Sequence, residues 1–104
     1  MQLKDRVAIV TGAGQGIGAS VAAAYAREGA RVAVVDMNGE TAEKSAAAIV
    51  GAGGTAIGVA CDVSNREQVE AMAAKVNAAW GCIDILVNNV GIMCIAMLHK
   101  MMLE

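Results

Sequence analysis

The sequence predicts an α/β protein, half of a doubly wound parallel sheet, and three features predict it. Four short β-rich runs alternate with three helical patterns along the 104 residues. The runs are apolar at consecutive positions, as strands are when helices cover both faces of a parallel sheet. Each run ends in Gly, Asp or Asn, where a turn leads on towards the next element. The order β-α-β-α-β-α-β at this spacing describes one unit over residues 1–104, with no linker, internal repeat or low-complexity segment.

The first strand is "RVAIVTG" (6–12). In the helix that follows, Ile17, Val21 and Tyr25 recur at i, i+4 and i+8, and Gly29 stops it. The second strand is "RVAVVD" (31–36). Asn38 is then placed to cap a helix over 39–50, closed by the glycines at 51, 53 and 54. "TAIGVACD" (55–62) is the third strand. "SNRE" (64–67) fits a capping box, with the Ser64 hydroxyl and the Glu67 carboxylate satisfying orphan amides. Val69, Met72, Val76 and Trp80 line one face of that third helix, and Gly81 ends it. "CIDILVNN" (82–89) is the fourth strand.

Composition narrows the function. With 57% hydrophobic and 17% charged residues the chain is no disordered tail. It has no Phe and no Pro, and its only aromatics are Tyr25 and Trp80, so the core is aliphatic and helices are expected to pack closely on strands through small residues. The net charge is −2 and the eight Lys and Arg are scattered, so no basic stripe exists to meet nucleic acid. The start has no long apolar stretch, and nothing reaches the roughly 20 apolar residues of a membrane span, so a cytoplasmic protein is expected. Cys61, Cys82 and Cys94 show no CxxC spacing and are read as small buried apolar groups. His99 has no second ligand at helical spacing, and no metal site is expected.

"TGAGQGIG" (11–18) carries the chemistry, because it leaves a strand and opens a helix. Gly12 would make the turn off the strand. Gly16 and Gly18 would let the helix N-terminus approach a diphosphate, whose charge its free amides favour. The stretch "GQGIGA" (14–19) fits G-x-G-x-x-A, while the whole fits T-G-x-x-x-G-x-G. The same glycines would also suit a plain tight turn. Asp36, about 20 residues beyond them, ends the second strand. A carboxylate there accepts both hydroxyls of an adenosine ribose and repels a 2′-phosphate, and Gln15 rather than Arg stands inside the loop; NAD is expected over NADP. Capping the next helix is the plainer role for Asp36. "CDV" (61–63) and "NNVG" (88–91) end strands on the same edge, where Asp62 would meet an adenine amino group and Asn89 the adjoining backbone. Either residue is also suited to tying its own turn.

In this order and spacing, "TGAGQGIG", Asp36, "CDV" and "DILVNNVG" resemble the short-chain dehydrogenase/reductase family over essentially the whole chain. The resemblance implies a Rossmann-like sheet of about four strands in the order 3-2-1-4, helices on both faces, and hydride transfer between a nicotinamide cofactor and a carbonyl or alcohol. It makes Gly12, Gln15, Gly16, Ile17, Gly18, Asp36, Met37, Asp62, Val63, Asn89 and Gly91 cofactor contacts. Val90 departs from the family's usual Ala. The tail "AMLHKMMLE" is similar to the segment after this motif in 3-oxoacyl-acyl-carrier-protein and acetoacetyl-CoA reductases, which points to a 3-oxoacyl thioester; sugar or secondary-alcohol oxidation suits residues 1–91 equally.

The family's catalytic Ser, Tyr-x-x-x-Lys pair and supporting Asn belong beyond this region. The only tyrosine here is Tyr25, on the apolar face of the first helix, and Gly29 rather than lysine stands four residues later. No catalytic residue carries over, and the chain reads as a cofactor-binding part that is inactive alone. A stand-alone nucleotide-binding module, natural or engineered, or a self-associating fragment are the rival readings. Self-association is expected through the strand-four edge, left bare by a missing fifth strand, or through the apolar tail at 92–104, with its Met93, Met97, Met101 and Met102.

Overall fold

The computed structural model describes residues 3–12 and 16–88. Within them seven elements alternate: β1 (Val7–Thr11), α1 (Gly16–Arg27), β2 (Arg31–Asp36), α2 (Gly39–Gly51), β3 (Thr55–Ala60), α3 (Arg66–Trp80) and β4 (Ile85–Asn88). All strand pairs are parallel and the order is β3-β2-β1-β4. The chain therefore steps outward from β1 to β3, then crosses back through α3 to β4 on the other side of β1.

β1 and β2 are the two inner strands, which is why their residues are apolar in succession. Val7, Ile9, Ala33 and Val35 face one layer, where Val69, Met72, Ala73 and Val76 of α3 cover them. Val10, Val32 and Val34 face the other, under Ala22 of α1 and Ala42, Ala46 and Ile49 of α2. Tyr25 packs half-buried against this second layer. Small residues bring helix and sheet together as the composition suggested. A Cβ on Gly58 of β3 would stand 2.9 Å from the Ala42 carbonyl carbon and oxygen and from Glu43 Cα, so the backbone of α2 rests directly on the strand.

Asn38 caps α2, its side chain accepting from the Thr41 amide at 3.2 Å. The cap of α3 lies one residue later than the capping box at Ser64 and Glu67 placed it. Asn65 is the N-cap and accepts from the Gln68 amide at 3.2 Å. Ser64 is drawn away because its hydroxyl and amide both bind Asp62. Gly81 ends α3 in the left-handed conformation, φ 80°.

Three further expectations are corrected. Ile17 is 80% exposed, and the buried residues of α1 are Gly18 and Ala22 instead. Periodicity assigned Ile17 to the apolar face, but the first turn of α1 finds no cover there. Cys61 is buried as expected, whereas Cys82 is exposed and its thiol lies 3.5 Å from the Asp84 carboxylate. The fourth strand begins at Ile85 rather than at residue 82 because Asp84 acts as a clasp: its carboxylate accepts the Val7 amide and its own amide donates to the Val7 carbonyl, both at 2.9 Å. Arg6 adds an ion pair to the same carboxylate at 3.8 Å. No described helix is long and apolar enough to cross a membrane.

Candidate functional site

Parallel strands bring four carboxyl ends to one edge. Thr11 lies in register with Val35 and Asn88, and Asp36 with Ala60. β2 lies on one side of β1 and β4 on the other, so strand order changes direction between β1 and β4, and the carboxyl ends at such a point are the usual ligand position of these sheets.

Gly12 and Gly16 both have positive φ, 62° and 65°. Only glycine adopts that conformation without cost, so the turn off β1 into α1 depends on them. Among the described residues nothing lies within 4 Å of where a Gly16 Cβ would stand. The first turn of α1 contains no acidic side chain to compete for its free amides. A chain end of this kind suits an anion. Gly18, in the first turn of α1, is buried. Thr11, which the sequence reading gave no role, is fully buried and donates its hydroxyl to the Val87 carbonyl at 3.4 Å, tying β1 to β4 at their carboxyl ends.

Two carboxylates stand at neighbouring strand ends. Asp36 Oδ1 accepts the Asn38 amide at 3.0 Å, and the Asp36 carbonyl accepts the Cys61 amide at 2.9 Å, joining the ends of β2 and β3. The plain turn role for Asp36 is thus present, although the cap of α2 itself is Asn38. Asp62 Oδ1 accepts the Ser64 amide at 3.0 Å and its hydroxyl at 2.7 Å. Those two bonds, the hydroxyl's first, hold the Asp62 carboxyl below its ordinary value. Val63 packs half-buried against the α3 layer. Met37 is 71% exposed, so two of the large apolar residues left uncovered, Met37 and Ile17, follow the carboxyl ends of β2 and β1. Gln15, Asn89, Gly91, Val90 and the 92–104 tail lie outside the described residues.

One pH dependence follows. A carboxylate with a depressed folded value adds stability above its unfolded value, near 3.8, and loses it as the pH falls through the lower folded value. Ser64→Ala removes the hydroxyl bond and is expected to raise the Asp62 carboxyl part of the way towards its ordinary value, read by carboxyl-carbon NMR titration, and to shrink the stability lost on acidification.

Elsewhere, a groove of about 580 Å³ lies between α1 and α2, lined by Ala23, Ser45, Ile49 and Gly54 among others, and none of the predicted site residues borders it. Among the described residues no group of three or more His, Cys, Asp or Glu is placed to hold a metal ion.

Known proteins resemble this chain in sequence and in fold. The chain is 48% identical over 103 residues to a D-threitol dehydrogenase of Mycolicibacterium smegmatis, covering 99% of this chain and 40% of that one. It is 43% identical to a sorbitol dehydrogenase of Cereibacter sphaeroides, over 92% of this chain and 36% of the relative. These are polyol names, not the thioester reductases suggested by the tail, whose nine mostly apolar residues carry little specificity. Among solved structures, a hydroxysteroid dehydrogenase from Escherichia coli superposes with a TM-score of 0.84 at 39% identity, over 86% of this chain and 38% of that chain. This chain thus spans no more than 40% of the length of these curated relatives. The pattern of the short chain dehydrogenases matches residues 6–104, nearly the whole sequence, and the chain belongs to that family of nicotinamide-dependent oxidoreductases.

Proposed function

We propose that this chain is the NAD(H)-binding part of an oxidoreductase acting on a polyol or related secondary alcohol. The observation that carries the reading is the pair of left-handed glycines, Gly12 and Gly16, between β1 and the acid-free N-terminus of α1, with Asp36 on the adjoining strand end. In this reading Gly12, Gln15, Gly16 and Gly18 form the diphosphate turn, and Asp36 holds the adenosine ribose and turns away a 2′-phosphate. Ile17 and Met37 give apolar cover, Asp62 and Val63 border the adenine, and Asn89 and Gly91 complete the wall. A bound nicotinamide would supply the hydride chemistry. The polyol assignment rests on the names of the relatives.

No residue of the 104 fills the acid/base roles that the resemblance names, so turnover by this chain alone is not expected. Binding is expected. NADH at about 100 times its dissociation constant should add roughly 2.7 kcal/mol, raising the melting temperature by about 10 °C or more for a domain of this size. No shift at millimolar NADH would overturn the assignment.

The same chain is proposed to self-associate. β4 is hydrogen-bonded only to β1 among the described residues, and Ile83, Leu86 and Val87 are only partly covered. An apolar strand open on one side recruits a partner strand. Light scattering on a size-exclusion column should show a dimer or larger species; a monodisperse monomer at high concentration rules this out.

A further inference from the structure

The start of α3 departs from ordinary capping in a way that reaches the proposed cofactor site. In a capping box the side chain at the third helical position folds back onto the amide of the N-cap residue itself. Here the N-cap is Asn65 and the third position is Gln68. The Asn65 amide is taken by the Asp62 carbonyl at 2.9 Å instead. Gln68 Oε1 reaches past the N-cap and accepts the Asp62 amide at 2.8 Å. The helix therefore holds the main chain of Asp62 through both its amide and its carbonyl.

The side chain is held as well. Ser64 occupies Asp62 Oδ1 with two donors, and among the described residues Oδ2 receives no hydrogen bond. The Asp62 turn is thus fixed before any ligand arrives, with one carboxylate oxygen left over. We infer that Gln68, through its bond to the Asp62 amide, is a positioning residue that sets Asp62 for recognition of the adenine amino group. This rests on the proposed function above, which places Asp62 beside the adenine.

The test compares NAD with nicotinamide hypoxanthine dinucleotide, in which an oxo group replaces the adenine amino group and cannot donate to a carboxylate. The full 104-residue chain is titrated by calorimetry. Wild type should prefer NAD by about tenfold, the scale of one hydrogen bond to a charged acceptor. Gln68→Met removes the acceptor but keeps the length, and should cut that preference to about twofold or less. Gln68→Glu restores an oxygen acceptor and should restore the preference. Both variants leave the cap bond to the residue-68 main-chain amide in place, and a merely structural role for Gln68 would weaken both dinucleotides alike and leave their ratio unmoved. A Gln68→Met chain that discriminates as well as wild type overturns this inference alone. A wild-type chain that binds NAD without any preference removes Asp62 from the adenine, and this inference falls with it.

Discussion

Replacing Asp36 by Ala is expected to weaken NAD binding by about tenfold to a hundredfold while leaving NADP binding unchanged or stronger. The size follows from losing hydrogen bonds to a charged acceptor, worth about 1.5–3 kcal/mol. The direction for NADP follows from removing a negative charge that faces a phosphate. Asp36 also ties its own turn, through Oδ1 to the Asn38 amide, so Ala disturbs the turn as well as the proposed ribose contact. Asp36→Asn separates the two effects: the amide oxygen keeps the Asn38 bond while the charge is gone. Both variants should relax the preference between the two dinucleotides, measured as the ratio of dissociation constants by calorimetry. If that ratio is the same in wild type, Asp36→Asn and Asp36→Ala, the carboxylate does not read the ribose.

The largest expected loss of stability comes from one added methyl group. Gly58→Ala puts a Cβ 2.9 Å from the Ala42 carbonyl and Glu43 Cα, and these are backbone atoms with no rotamer to escape into. α2 must lift from β3, loosening Ala42, Ala46 and Ile49, which are buried beneath it. Overpacking of this kind costs about 1–3 kcal/mol, or about 4–8 °C in melting temperature for each kcal/mol in a domain this small. Gly51→Ala is the control: it ends the same helix, its φ is not in the left-handed region, and nothing lies within 4 Å of its Cβ position. It should melt within a few degrees of wild type. Equal melting of the two variants would mean that α2 does not rest on the strand as described.

Elements set by neighbouring residues were legible in the sequence. The strand runs of β1 and β2 are marked by their consecutive apolar, β-branched residues, the Asn38 cap and the Gly81 stop depend on contacts within a few positions, and all four stand where the pattern put them. The readings that moved are those settled by a competing partner. Ser64 resembled a cap, but Asp62 claims its hydroxyl, and the cap passes to Asn65. "CID" resembled the start of a strand, but the Asp84 side chain takes the Val7 amide and the ladder begins after it. Ile17 had the right periodicity, which states the positions that share a face and not whether anything covers them.

By itself the sequence determined the alternation of strands and helices, the two-sided burial of the inner strands and the glycine turn, because propensity and left-handed backbone are local properties. The resemblance already implied the order 3-2-1-4, with β4 on the far side of β1, and only the tertiary structure decided how Thr11 and Asp84 lock it there and which oxygen of Asp36 or Asp62 is engaged. Those outcomes depend on the register between residues up to 77 positions apart and on donors competing for one carboxylate. No local pattern encodes either.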